Sequence, residues 1–340
     1  MPHTVSRLAN SGPVKYLVLS FWHRVGGKYY RCSNGGITAF SSATDVVDVS
    51  VTAVNDAPVL ADTALSITVA EDAGVPSGVV GSLLSSFTGG VSDVDSGAVK
   101  GIAVTASVET NGTWYYTTNN GTTWTAVGTV NATSSLLLAD NANTRLYFAP
   151  GLNYNGTSTS ALTVRGWDQT SGTAGTKVDS STNGGITAFS SATDVVDVSV
   201  TAVNDAPVLA DTALSITVAE DAGVPSGVVG SLVSSFTGGV SDVDSGAVKG
   251  IAVTASVETN GTWYYTTNNG TTWTAVGTVN ATSSLLLADN ANTRLYFAPG
   301  LNYNGTSTSA LTVRGWDQTS GTAGTRQRRE HSRRSAVSHR

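Results

Sequence analysis

The sequence predicts an all-β protein made of tandem antiparallel Greek-key β-sandwiches, and three observations carry that prediction. Residues 34–176 recur as residues 183–325 at an offset of 149, with one change, Leu84 to Val233. Repetition on this scale means that a structural unit is stacked on a copy of itself, giving an elongated array. Within each copy, apolar and polar residues alternate over short runs, and no run of ten or more residues holds a helical period. Glycine is frequent (37 of 340 residues), and Gly, Asn and Asp cluster at short intervals between the runs, as turns between short strands require.

The first 33 residues lie outside the repeats. The first 32 carry five basic residues and no acid, and they hold the lone cysteine, Cys32. The apolar stretch 16–22, behind Arg7 and Lys15, resembles a short secretory core but lacks a small-residue cleavage site. Its composition reads better as a stretch foreign to the repeats. Residues 34–54 match the closing part of a repeat. In 44–54, Val47, Val49, Val51 and Ala53 alternate with Asp48, Ser50 and Thr52, the period of a half-buried strand. Val-Asn-Asp-Ala-Pro-Val-Leu follows at 54–60 and again at 203–209. It forms a joint, because proline fixes its own φ and holds the preceding residue extended.

Residues 55–203 therefore form one complete repeat. Strands are expected at 65–69, 79–87, 100–107, 114–118, 122–127, 135–138, 144–148, 160–167 and 193–203. Asn119-Asn120-Gly121 between two aromatic strands predicts a tight hairpin, since Asn-Gly supplies the positive φ that such a turn needs. Residues 204–325 begin the same programme and lack a counterpart of 184–203. Residues 326–340 form a basic segment unlike the repeats, with six arginines and Glu330.

Charge follows the same division. Residues 33–325 hold 23 acids against seven basic residues, a net of −16 hidden within the overall −6. Partners of the repeats are thus expected to be cations, not nucleic acid or anionic lipid. No run approaches the length of a membrane span. The repeats contain no His or Cys, which removes Ser-His, Cys-His and thiolate or imidazole metal chemistry. No glycine-rich phosphate loop precedes a helix. An enzyme is not expected.

The residues that remain favour a hard cation. Calcium takes six to eight oxygen ligands from carboxylates, amides, carbonyls and water. Asp93-Val94-Asp95-Ser96-Gly97 spaces two carboxylates around a sharp turn. Glu71, the Asn55-Asp56 pair and Asp168 sit at strand ends.

The order of these motifs resembles the cadherin family, particularly the cadherin-like tandem repeats of large bacterial surface adhesins. Ile67 to Asp72 resembles the strand leading to the family's acidic turn, and Asp93 to Gly97 its Asp-Ala-Asp-Ser-Gly loop. Leu152-Asn153-Tyr154-Asn155 resembles the Leu-Asp-Tyr-Glu element. Leu162 to Asp168 resembles the Leu-x-Val-x-Ala-x-Asp strand end, and Val198 to Pro207 the closing strand and linker. The resemblance covers residues 34–325 and implies a cadherin- or immunoglobulin-like sandwich with calcium at the joints. Carried over, the inter-repeat ligands are Glu71, Asn155, Asn204, Asp205, Asp242, Asp244 and Asp317. A weaker set at the first joint comprises Asn55, Asp56, Asp93, Asp95 and Asp168. Three departures imply fewer or weaker ions: Ala202 replaces the linker's first Asp, the second linker Asn is missing, and Asn155 replaces a glutamate.

The resemblance implies an extracellular, cell-surface adhesin segment, a calcium-stiffened stalk or adhesive array in surface or biofilm attachment. Its partners would be neighbouring repeats of the same or identical chains and a cell-surface protein or glycan. A metal-independent spacer or surface-layer array is the bland alternative. A third reading is a carbohydrate-binding module, with Trp114, Tyr116 and Trp124 as ligand-binding residues on the aromatic hairpin. Cross-strand pairing of those rings is the structural alternative.

Overall fold

A computed structural model describes residues 46–328 continuously, together with 5–9, 16–20, 22–25 and 28–31. The chain divides into two units, Met1–Ala53 and Val54–Arg340. In the first unit, β1 (Val5–Ala9) pairs with β2 (Tyr16–Ser20), and β3 (Trp22–Val25) pairs with β4 (Lys28–Arg31), both antiparallel. The motif residues 34–45 lie outside the described residues, as do 329–340. Residues 46–54 belong to no strand, and Val47, Val49 and Val51 are 84%, 81% and 88% exposed. The strand expected over 44–54 is therefore corrected for the part described. Alternation marks which face a strand would bury, but a strand forms only against a neighbour.

The second unit holds both repeats and, among the described residues, no α-helix. In the first repeat, a four-stranded sheet runs β11 (Thr125–Ala126), β10 (Gly112–Thr117), β13 (Arg145–Pro150), β7 (Ser82–Leu83). A six-stranded sheet runs β15 (Lys177–Val178), β12 (Ser135–Ala139), β9 (Gly101–Ser107), β14 (Gly156–Trp167), β16 (Asp194–Thr201), β6 (Leu65–Ala70). A small pair, β5 (Val59–Leu60) with β8 (Val91–Ser92), completes the repeat. Trp114, Leu146 and Phe148 of the smaller sheet meet Ile102, Leu136, Leu138, Leu162, Val164, Val196 and Val198 of the larger one in one core. Two sheets enclosing a common apolar core make a β-sandwich.

Three expectations change. The sandwich is not wholly antiparallel: β16 runs parallel to β6, from Val196 opposite Leu65 to Thr201 opposite Ala70. The strand expected at 79–87 shrinks to Ser82–Leu83, because the chain turns into a 3-10 helix at Leu84–Ser86 that buries Leu84. The run Leu136-Leu137-Leu138 is buried on both faces. Leu137 packs outward under Trp167, Ala188 and Phe189, so a loop covers the sheet's outer side. The Asn-Gly turn forms, but the strand expected at 122–127 shrinks to Thr125–Ala126, so β10 and β11 pair only at Tyr115–Ala126 and Tyr116–Thr125, across a wider loop. Asn120 and Gly121 have φ of 53° and 84°, and the N–H of Thr122 donates to Asn119 O at 3.3 Å. A Cβ on Gly121 would stand 1.9 Å from Gly78 O, so only glycine fits.

The second repeat reproduces much of this. β17 (Val208–Leu209) pairs with β19 (Val240–Ser241). β18 (Ser231–Leu232), β24 (Arg294–Pro299), β21 (Gly261–Thr266) and β22 (Thr274–Ala275) form the four-stranded sheet. The other sheet has four strands instead of six: β25 (Leu311–Trp316), β20 (Gly250–Ser256), β23 (Ser283–Ala288), β26 (Arg326–Arg328). Residues 214–219, which match β6, form no strand, and β25 begins late at Leu311. The basic segment is not wholly foreign, since Arg326–Arg328 takes the sheet position of Lys177–Val178. Arg326 donates to Val276 O and Thr278 O, as Lys177 does to Val127 O and Thr129 O.

Candidate functional site

Both joints are built by the same local chemistry. At the first, the Asn55 amide donates to Asp168 Oδ2 at 2.9 Å, and Asp56 N donates to Asp95 Oδ2 at 2.8 Å. Asp95 N in turn donates to Asp93 Oδ1 at 2.9 Å, closing the Asp93-Val94-Asp95 turn on itself. Thr170 donates N–H and hydroxyl to Asp168 Oδ1. All five residues expected at this joint are thus in one hydrogen-bonded group. At the second joint, Asn204 donates to Asp317 Oδ2 at 2.9 Å, Asp205 N to Asp244 Oδ2 at 2.9 Å, and Asp244 N to Asp242 Oδ1 at 2.9 Å.

The second joint adds groups from the repeat before it. Glu71 is 3% exposed and is held by the Val203 N–H on Oε1 at 2.6 Å and the Asn155 amide on Oε2 at 2.9 Å. Beside it, Asp72 Oδ1 accepts the N–H of Asn153 at 3.0 Å. Asn155, Asn204, Asp244 and Asp317 line one recess of about 390 Å³ with Ser245 and Thr319. The sequence thus named residues that the structure brings together at this joint, four of them around the recess. It missed Asp72 and the Thr170/Thr319 pair, although Asp72 adjoins Glu71 and each threonine follows its aspartate by two.

The electrostatics separate the acids. Loss of surrounding water raises the Asp205 carboxyl above its usual range, and the negative charges of Asp72, Asp244, Glu71 and Asp242 push the same way. Burial acts to raise Asp317 too, but hydrogen bonds from Asn204 and Thr319 outweigh it and hold that carboxyl below its usual range. Asp205 Oδ2 and Asp242 Oδ2 are shut off from water and have no hydrogen-bond partner, and Asp93 Oδ2 is in the same state at the first joint. Such oxygens are costly and need explaining. Among the described residues no three acidic, His or Cys side chains stand close enough together to hold a metal ion by themselves. Any cation here would draw on amide and backbone oxygens as well.

The aromatic residues do not form one surface. Trp114 is fully buried, packs edge-on against Phe148 at 5.2 Å and donates its indole N–H to Ala161 O. Tyr116 leans on the same core and donates to Gly175 O. Trp124 meets Tyr147 at 6.0 Å and donates to Gly78 O, so its ring is tied to neighbouring loops. Trp114 is corrected from candidate sugar platform to core residue, because even-numbered residues of β10 face inward. No helix among the described residues is long and apolar enough to cross a membrane.

Compared with known proteins, this chain matches no family model, no curated protein sequence and no solved structure.

Proposed function

We propose that the chain is a calcium-stiffened repeat segment of an extracellular adhesin, in which bound cations fix the angle between successive β-sandwiches. The reading rests on one observation above all. Asp205 Oδ2 and Asp242 Oδ2 lie buried without partners on a joint where Glu71, Asp72 and Asp244 add like charge. A protein that only needed a spacer has no use for such a cluster, whereas a divalent cation gives each orphaned oxygen a partner and cancels the repulsion. The donors are of the kind a hard cation takes, though not gathered in one cage: carboxylates of Glu71, Asp205, Asp242, Asp244 and Asp317 are spread along the joint, and Asn155 and Asn204 offer amide oxygens. The motif order shared with cadherin-like repeats points the same way.

The supply of carboxylates is modest and no tight cage stands ready, so affinity should fall in the range of extracellular modules, about 10⁻⁴–10⁻³ M. Thermal melting and small-angle scattering across a calcium titration test the reading. Calcium should raise the melting temperature and narrow the distribution of joint angles, and Asp242→Ala with Asp244→Ala should remove most of both effects. Identical melts and scattering in chelator and in millimolar calcium would leave a metal-independent spacer as the better account.

A further inference from the structure

We infer that residues 47–54 of one molecule insert as a strand into an open groove in the second repeat of another molecule, joining copies of this chain head to tail. The groove is the place that β16 fills in the first repeat. There Val196, Val198 and Val200 are 0%, 0% and 4% exposed, held between β14 and the parallel β6. Among the described residues of the second repeat no strand occupies that place. A cavity of about 680 Å³ lies open instead, lined by Leu214, Ile216, Val218, Trp263, Ala310 and Leu311 among others. Of their first-repeat counterparts, Ile67, Trp114, Ala161 and Leu162 are buried in one core with Val196, Val198 and Val200 of β16, and Leu65 and Val69 are partly buried against it.

The chain carries the missing strand. Residues 44–54 are identical to 193–203. Val47, Val49 and Val51, the counterparts of the three buried valines, are each more than 80% exposed. Polar groups set the register as firmly as the valines do. In the first repeat Asp197 accepts the N–H of Ser160, a residue held at φ 50° by a bulge in β14. Ser309 keeps that left-handed conformation at φ 52° beside the open groove, and Asp48 is the carboxylate that would reach it. At the far end Val203 N donates to Glu71, which is 3% exposed. Its counterpart Glu220 is exposed, and Val54 would supply the donor. Seated this way, Val47 faces Leu214 and Leu311, Val49 faces Ile216 and Ser307, and Val51 faces Val218 and Gly305.

A second molecule is the occupant because a seated strand is always followed by the opening end of the next repeat. Val203 leads straight into Asn204, held by Asp317, and Val54 leads straight into Asn55, held by Asp168. For the strand to seat in its own molecule, two repeats would have to close a ring, with both joints reversing the chain direction. A second copy needs no reversal, and the contact is heterologous, so it propagates.

Analytical ultracentrifugation of the full chain and two variants tests this. One variant carries Val47→Asp with Val49→Asp, which spoils the donor at exposed positions and leaves the fold alone. The other replaces residues 327–340 with the sequence of Val178 to Val203, which fills the groove from within. The unmodified chain should form oligomers that lengthen with concentration, each variant alone should be monomeric, and an equimolar mixture of the two should stop at dimers. Oligomers in either millimolar calcium or chelator satisfy the inference, which does not depend on a bound cation. It is overturned if the unmodified chain is monomeric at high concentration in both conditions, or if its oligomers survive the donor substitutions. A monomer whose second repeat is protected from hydrogen exchange only when Val47 and Val49 are intact would mean self-seating and would also overturn it.

Discussion

The two repeats are nearly the same sequence and are not the same structure. Over 122 aligned positions, 55–176 against 204–325, they differ only at Leu84 and Val233, yet one is a closed sandwich and the other, over its described residues, lies open along an edge. The difference reaches beyond the missing strand. Leu65–Ala70 is a strand in the first repeat, whereas the identical residues 214–219 are not, since they have no neighbour to bond. Asp194 accepts both the N–H and the hydroxyl of Thr63, and among the described residues no carboxylate takes that place beside Thr212. Among the described residues nothing repeats the outer cover provided by Ala188 and Phe189, and Trp316 lies in a smaller cluster with Leu286 and Ala288. One strand thus organises two others and part of a loop, which is the cooperativity expected of a sheet whose hydrogen bonds are all non-local.

The sharpest way to break this comparison is to make one substitution in both copies of the strand. Val198→Asp puts a charge into a fully buried site, at a cost of several kcal/mol, and should unfold the first repeat. Val49→Asp, the same change in the same local sequence, should leave the melting of both repeats unchanged in dilute solution. Limited proteolysis with calorimetry reads both outcomes, and equal damage from the two would mean that residues 46–54 are already packed.

Filling the gap is the next largest effect. Replacing residues 327–340 with the sequence of Val178 to Val203 buries three further valines, each contributing at most about 1.5–3 kcal/mol. Two separate unfolding transitions should then merge into one, and persistence of a weaker second transition would show that the strand is not what the second repeat lacks. A smaller contrast comes from the strand's neighbours. Ile67, 7% exposed against β16, should cost about 2–5 kcal/mol when replaced by alanine. Ile216, on the wall of the open groove, should cost clearly less by chemical denaturation.

The smallest effect concerns acid. Asp205 is raised in the folded joint, so its ionised form opposes folding above that folded value. Without divalent cations, stability should therefore rise as the pH falls from neutral toward the ordinary aspartate range. It should fall again as Asp317, held low, is protonated and its hydrogen bonds with Asn204 and Thr319 weaken. Asp205→Asn should flatten the rise, and calcium should reverse it. A melting temperature that falls steadily from neutral pH in chelator would count against the repulsive joint.

Much of this protein was determined by sequence alone. The 149-residue period placed the repeats. The alternation read at 44–54, repeated in the strand expected at 193–203, named the valines buried in the second copy, and Asn120-Gly121 named its turn. The joint residues Asn204, Asp205, Asp242, Asp244 and Asp317 fell together because each sits within a few residues of a strand end, where local turns fix its direction. Tertiary structure alone decided the rest. The parallel pairing of β16 with β6, the burial of Trp114 against Phe148 and the use of Arg326 in place of Lys177 all depend on partners distant in the chain. The clearest case is the closing strand itself. Residues 47–54 and 196–203 are identical, yet only the second copy holds a strand, because backbone N–H and C=O groups form a strand only where another edge is there to meet them.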